Sequence, residues 1–401
     1  MQLPFLKAVP LLEAIETAGF EAYFVGGSVR DSLLNRKIAD VDIATSALPA
    51  ELKKIFPRTV DLGIEHGTIL VLYNGVPYEI TTFRTESQYT DHRRPDNVEF
   101  IRSLKEDLKR RDFTMNAMAM DKTGNIIDPF HGTVSISDQQ IKTVGKASDR
   151  FGEDALRIMR ALRFVSQLGF SIEHGTFAAL KKQGHLLESI AVERKTAEFE
   201  KLLAGKYVSK ALPLLLEAGI HSYLPGLAGK NKCLSDLVRC GTAGFTIEEM
   251  WSLLLYFMNL NDQEAEDFLR KWKLPVKKMK HCIHILKWLD FRLGDNWDAE
   301  SAYHSGKSVM LSAERIYQCL AGGEARLDKL EALFDSLPIK NSSELDVNGN
   351  DLRSWFDRKP GPWIKEAVSA IEKAVLLGNV RNTKAEIKEW LLKCNQSSGK
   401  D

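Results

Sequence analysis

The feature that most restricts how this chain can fold is a change of hydrophobic rhythm near residue 150. Before it, short apolar runs alternate with turns, and residues 22–25, 41–44, 68–73 and 78–83 are predicted strands. A short helix is predicted over 48–56. Beyond Phe151, apolar residues recur at helical spacing and strand signals nearly vanish. Pro225, Pro275, Pro338 and the Lys359-Pro360-Gly361-Pro362 cluster punctuate helices rather than strands. The expected class is α+β, a mixed head of about 145 residues followed by an all-helical remainder. No internal repeat is visible, and residues 395–401 read as a frayed polar tail.

A chain of 401 residues with 44% hydrophobic and 27% charged residues can bury ordinary cores in two or three domains. No apolar stretch is long enough to cross a membrane, and residues 1–10 do not read as a signal peptide. Cys233, Cys240, Cys282, Cys319 and Cys394 lack paired spacing and read as thiols in a reducing cytosol. The expected location is cytoplasmic. His281, Cys282 and His284 lie close together, but their spacing matches no common metal site. A net charge of +1 argues against a generic nucleic-acid coat and leaves room for a local basic groove.

The sharpest local signal is Phe24-Val25-Gly26-Gly27-Ser28-Val29-Arg30-Asp31, followed by Asp40-Val41-Asp42. On a strand, residues two apart project from one face, roughly 6–7 Å apart. Asp40 and Asp42 would point together, with Val41 turned into the core. Paired carboxylates repel unless a cation lies between them. Two magnesium ions about 3.5–4 Å apart would meet that need, one activating a 3′-hydroxyl and one holding a triphosphate. The Gly-Gly turn lets a phosphate approach backbone amides at the start of a helical stretch over 28–34. Arg30 adds charge-assisted bonds there. Neither GxxxxGK[ST] nor a GxGxxG opening a βαβ unit occurs, which excludes a P-loop and a Rossmann fingerprint.

These residues resemble the polymerase-β-like nucleotidyltransferase superfamily, and within it the class II tRNA nucleotidyltransferases, or CCA-adding enzymes, of the type without an HD domain. Residues 26–45 match that family's first motif. Glu79 is a candidate third carboxylate or an ordinary surface glutamate. Residues 110–117 resemble the second motif. It implies that Arg111 meets the triphosphate and that Asp112 and Asn116 reach ribose hydroxyls, with a helix cap as the alternative for Asp112. Asp128-Pro129-Phe130-His131-Gly132 resembles the motif joining head to neck, and departs from it at His131, where glycine is commoner.

The segment Glu153-Asp154-Ala155-Leu156-Arg157 carries the base-reading expectation. On one helix Asp154 and Arg157 would be i, i+3 neighbours, with Arg160 and Arg163 extending a slanted basic stripe. A carboxylate accepts and a guanidinium donates. Cytosine and adenine both offer an amino donor beside a ring-nitrogen acceptor, while uracil and guanine offer the reverse. One Asp and one Arg can therefore accept C and A. A mismatch strands buried polar groups at roughly 1–3 kcal/mol each. The alternative is an exposed salt-bridged face. By the resemblance, Gly27, Arg30, Arg111, Asp154, Arg157, Arg160 and Arg163 bind the incoming ATP or CTP, and Asp40 and Asp42 are catalytic and hold Mg2+. Residues 192–195 and 198–203 resemble the last motif, a support behind the base-reading helix.

The resemblance implies a nucleotidyltransferase head over 1–145, a helical neck over 146–205, a body over 206–300 and a tRNA-binding tail over 301–401. It implies template-independent addition of C, C and A to tRNA. A poly(A) polymerase, or an enzyme adding only CC or only A, is the alternative. The charged stretch 84–100 is expected as a mobile lever loop. Lys365, Lys373, Arg381, Lys384 and Lys388 are candidate phosphate contacts. The expected partners are tRNA, ATP and CTP, with no membrane, in a monomer or a homodimer.

Overall fold

A computed structural model describes residues 1–63, 67–87, 97–241, 244–323 and 327–397. The chain divides into two compact units, residues 1–239 with 271–273, and residues 240–270 with 274–401.

The first unit begins with α1 (Leu3–Thr17), β1 (Ala22–Val25), α2 (Gly27–Leu33), β2 (Asp42–Thr45), α3 (Pro49–Ile55) and β3 (Thr59–Gly63). It continues through β4 (Thr68–Tyr73), β5 (Val76–Thr82), β6 (Arg84–Ser87), β7 (Asn97–Phe100), α4 (Leu104–Lys109), β8 (Ala119–Met120) and β9 (Ile126–Ile127). Seven strands form one sheet in the order β3-β4-β5-β2-β1-β8-β9, in which β2 and β5 run parallel and the other pairs antiparallel. Strand alternation splits the apolar residues between two faces. Phe24 and Ile43 pack with Phe5, Leu11, Leu12 and Ile15 of α1. Val25 and Ala44 pack on the other face with Phe83, Leu104 and Leu108. Asp42 follows Val41, which is buried in the α1 layer, so Asp42 belongs to the α4 side. Two strand expectations coincide with β1 and β4, and two differ from β2 and β5 by up to two residues. α1 is legible in its buried Phe5, Ala8, Leu11, Leu12 and Ile15, yet a reading of the head as strands and turns passes over it.

The stretch 84–100 is not a plain loop. β6 and β7 pair antiparallel from Arg84↔Phe100 to Ser87↔Asn97. Gly67 leaves room for the Phe100 ring at the ribbon's base, where a Cβ would lie 2.6 Å from the ring. Residues 88–96, with Asp91, Arg93, Arg94, Pro95 and Asp96 of the expected lever, lie outside the described residues.

The rest of this unit is mostly helical: α5 (Gly132–Ser137), β10 (Gln140–Ile141), α6 (Ala147–Glu153), α7 (Leu156–Leu168), β11 (Ser171–Ile172), α8 (His174–Gln183), α9 (Val192–Leu203), α10 (Val208–Glu217) and α11 (Asn231–Arg239). α7 and α9 pack side by side. Ser166 Oγ donates to the Leu202 carbonyl, and Phe199 stacks on Trp272 at 4.7 Å. His131 adopts φ 59°, a left-handed conformation that glycine takes without strain, which accounts for a departure at this position being conspicuous. Asp128 pins the turn by accepting from the Gly132 and Thr133 amides at 2.7 and 2.9 Å.

The second unit contains α12 (Ile247–Met258), α13 (Asp262–Lys271, whose last residue belongs to the first unit), α14 (Val276–Gly294), α15 (Ala299–Ser305), α16 (Lys307–Ala321), α17 (Leu327–Asp335), α18 (Gly349–Phe356), α19 (Trp363–Leu376) and α20 (Lys384–Ser397). One apolar cluster runs from Ala302 to Leu391, with Ile339, Leu352, Ile371 and Ile387 fully enclosed. α20 continues through Ser397, so residues 395–397 of the expected frayed tail are helical, and 398–401 lie outside the described residues. Among the described residues no helix is long and apolar enough to cross a membrane.

Candidate active site

β1 stops at Val25, the register partner of Asp42 on β2. Gly26 follows with φ 72° and ψ −135°. A Cβ there would stand 3.1 Å from Arg111 Nη1 and 3.6 Å from Asp42 Oδ2. Glycine at this turn therefore lets a guanidinium and a carboxylate both lie close against the chain. Asp40 and Asp42 are exposed and Val41 between them is buried, although Asp40 and Val41 precede β2. Glu79 precedes Ile80, and Ile80 pairs with Ile43, so Glu79 stands beside Asp42 on the neighbouring parallel strand. Desolvation raises the Asp42 carboxyl above its usual value. Arg111 opposes the rise, and Glu79 and Asp40 add to it.

A cation bound at this site would offset both the burial and the neighbouring carboxylates. Its donors are all oxygens, which suits a hard divalent cation. Among the described residues no three His, Cys, Asp or Glu side chains are arranged to cage a metal on their own. Two carboxylates suit magnesium, which keeps several waters and shares its coordination with a substrate phosphate.

Behind the carboxylates lies a lattice of arginines fixed by buried acids. Asp107 on α4 is 1% exposed and accepts from Arg110 at 2.8 Å and Arg111 at 3.2 Å. Burial alone would raise its carboxyl, but the two guanidiniums hold it below its ordinary value. Arg30 donates to Asn116 Oδ1 at 2.7 Å and to Asp31 at 2.9 and 3.0 Å. Asn116 in turn donates to Asp112 Oδ1 at 3.0 Å. Asp112 Oδ1 also accepts from the Phe113 amide, and Oδ2 accepts from Nε and Nη2 of Arg160. Burial is outweighed by Arg160, Asn116 and Arg157, and the carboxyl lies well below the usual range. The four acceptor positions of Asp112 are thus engaged inside the protein. It positions Arg160 and Asn116, and both Asp112 and Asn116 line the cleft where a ribose contact was expected. Three guanidiniums gather on the Phe164 ring, Arg163 at 4.4 Å, Arg30 at 5.1 Å and Arg160 at 5.6 Å.

The base-reading segment differs from its expected form. Asp154 is not on a helix. It is extended, with φ −133° and ψ 103°, between the end of α6 and the start of α7. The cause is local, because its Oδ1 accepts from the Leu156 amide at 3.0 Å and so closes the N-terminus of α7. Asp154 and Arg157 are therefore not a helical i, i+3 pair. Asp154 Oδ2 accepts from Arg194 of α9 at 3.0 Å. Arg157 is held by Glu153 at 2.7 Å and donates to the carbonyls of Arg150 and Arg110. Glu153 thus fixes Arg157. Arg157, Arg160 and Arg163 do follow one another on α7 at three-residue spacing.

One cleft of about 740 Å3 collects these groups. Gly27, Arg30, Asp42, Arg111, Asp154, Arg157, Arg160 and Arg163 all line it, whereas Asp40 is not among the lining residues and bears on Asp42 through its charge. Asp31, Arg36, Arg110, Phe164 and Gln167 line the cleft without having been expected there, and Arg194 and Lys201 were expected only as part of the supporting motif. Asp107 was missed as well. For Arg194 and Lys201 a signal exists, since they sit seven residues apart on a helix and so share one face. His284 stands apart from all this, its Nε2 accepting from Trp288 Nε1 at 2.8 Å.

Three family models match the chain. Residues 22–142 match the poly(A) polymerase head domain, 169–230 the RNA and SrmB-binding site of polymerase A, and 245–391 the tRNA nucleotidyltransferase domain 2. Fold and cleft together define a nucleotidyltransferase with a polymerase head and an all-helical C-terminal region. A CCA-adding enzyme of Bacillus cereus (strain Q1) is 48% identical over 394 residues, 98% of this chain and 99% of the relative. The crystal structure of the Bacillus stearothermophilus CCA-adding enzyme in complex with CTP matches with TM-score 0.90 and 46% identity over 100% of both chains. A tRNA nucleotidyltransferase complexed with a primer tRNA and an incoming ATP analog matches with TM-score 0.60 and 25% identity, over 80% of this chain and 97% of that one. The chain belongs to the CCA-adding enzymes.

Proposed function

We propose that this protein adds C, C and A to the 3′ end of tRNA, using CTP and ATP without a nucleic-acid template and releasing diphosphate. The observation that carries this reading is the placement of Asp42 in one cleft with Asp154 and Arg157. A site for phosphoryl transfer and a site that can sort bases thus lie within reach of one nucleotide. Residues 1–145 serve as head, 146–205 as neck, 206–300 as body and 301–401 as tail, in a cytoplasmic enzyme.

Asp40 and Asp42, with Glu79 beside them, would hold magnesium, whose chemistry here is to acidify the attacking 3′-hydroxyl and neutralise phosphate charge. Arg111, anchored by Asp107, grips the triphosphate with a preset fork. Asp154 keeps an unused acceptor position on each oxygen, since each accepts one bond from within the protein. Three of the five N–H groups of Arg157 are occupied, which leaves donors for a ring nitrogen. An amino group against Asp154 and a ring acceptor against Arg157 describes cytosine and adenine, and excludes uracil and guanine.

The test uses a tRNA transcript that ends before its CCA. CTP alone should extend it by two residues and CTP with ATP by three, while UTP or GTP should extend it by none. A long A tail on unrelated RNA would overturn this reading in favour of a poly(A) polymerase.

A further inference from the structure

The cleft continues past the groups that meet the base. Asp154 and Arg194 mark one end of the paired helices α7 and α9. Gln167 and Lys201 mark the other. From residue 194 to residue 201, α9 rises about 10 Å. At this far end Arg36 donates to the Gln167 carbonyl at 3.0 Å and lies 4.0 Å from Asp31. Arg163 is 3.2 Å from Glu198. Lys201 is exposed and has no ion pair among the described residues. Asp31 and Glu198 face more cations than they can neutralise, because Arg30 already engages Asp31. The crowding is felt at Arg163, which burial and neighbouring Arg160 hold down to about 10 against the pull of Glu198. An anion would relieve it.

We propose that Arg36, Arg163 and Lys201 bind the terminal phosphates of the incoming nucleotide and then the diphosphate it releases. The assignment rests on the nucleotidyl-transfer reading above and adds Arg36 and Lys201 to its binding residues. In that transfer the 3′-oxygen bonds to the α-phosphorus and the bond from that phosphorus to the bridging oxygen breaks. The bridging oxygen keeps the electron pair and leaves with the β-phosphate, and the hydroxyl proton passes to water. The charge on the leaving group is greatest after that break, so a cluster with surplus positive charge holds the product as well as the substrate. Both cations are solvated, so each contributes modestly.

The experiment measures binding of CMP, CDP, CTP and inorganic diphosphate to the full chain, with Arg36→Ala, Lys201→Ala, the double variant, and Lys201→Arg as the charge-retaining control. CTP and diphosphate should bind about three- to tenfold more weakly to the alanine variants, while CMP binding and the KM for tRNA stay unchanged. Lys201→Arg should restore most of the loss. Equal losses for CMP and CTP, no loss for either, or a raised KM for tRNA with intact CTP binding would each overturn the assignment. In those cases the unaltered protein would still add C and A. Failure of the unaltered protein to add them overturns the function reading as well.

Discussion

The carboxylate of Asp154 is held at 3.0 Å by Arg194, forty residues further along the chain, and not by Arg157. In the proposed base-reading pair, the acceptor Asp154 is thus aimed by a different helix from the one that carries Arg157. Arg194→Ala should leave Asp154 tethered only by the Leu156 amide. We expect kcat/KM for CTP and ATP to fall about tenfold, with weaker rejection of UTP. Steady-state kinetics with the three nucleotides checks this. Unchanged ratios would mean that Arg194 has no part in aiming Asp154.

Asp107 should matter more than its distance from the chemistry suggests. It is the buried counter-ion of both Arg110 and Arg111. Asp107→Ala strands two partly buried guanidiniums and should cost about 3 kcal/mol of stability. It should also raise the KM for CTP. Denaturant unfolding together with saturation kinetics measures both effects.

Asp107 and Asp112 also predict an acid limb of stability. Each carboxyl titrates lower folded than unfolded. Their contribution is complete above the unfolded value, near pH 4, and disappears as the pH falls through the lower folded values. Asp112→Asn should therefore flatten the loss of stability below about pH 4, although it lowers stability at neutral pH. Midpoints of urea unfolding between acid and neutral pH decide the matter.

Asp42→Ala or Asp40→Ala should reduce addition of both C and A at least about a hundredfold with tRNA binding largely intact. Chelation of divalent cations should do the same to the unaltered protein. Near-normal turnover of either variant with magnesium would remove the carboxylate pair from the mechanism.

The ribbon β6–β7 is the expected lever for the final A addition. Shortening residues 88–96 keeps the pairs from Arg84↔Phe100 to Ser87↔Asn97. Two C additions should stay nearly normal and the final A should be lost, read as product length at single-nucleotide resolution. Completion of CCA at the parental rate would show that this stretch is no lever.

Much of the head was legible because its signals are local. The Gly-Gly turn, the same-face aspartates and four strand runs depend on residues within a few positions of one another. What escaped depends on distance along the chain. Asp107, Arg194 and Lys201 acquire their roles only when α4 and α9 pack beside β2 and α7. Asp154 escaped differently. Its side chain competes with helix continuation by accepting from the Leu156 amide, so a periodic charge row was interrupted where it looked continuous. The expected tail cations fared differently again. Lys373 pairs with Glu300, Lys384 with Asp351 and Arg381 with Glu386, and Lys388 sits over Trp355. These engagements leave Lys365 as the more available of the five. Truncation near Leu337 would also cut through the core that spans Ala302 to Leu391. Single charge substitutions are therefore the sounder probe of RNA binding, each lost phosphate contact lowering the salt slope by about one.

In the proposed function, protein side chains select C and A with no template. The most direct measurement is kcat/KM for CTP, ATP, UTP and GTP with the unaltered protein and with Asp154→Ala, on tRNA lacking its 3′ end. The variant should incorporate C and A more slowly and lose most of its discrimination against U and G. Discrimination equal to that of the unaltered protein would contradict this reading.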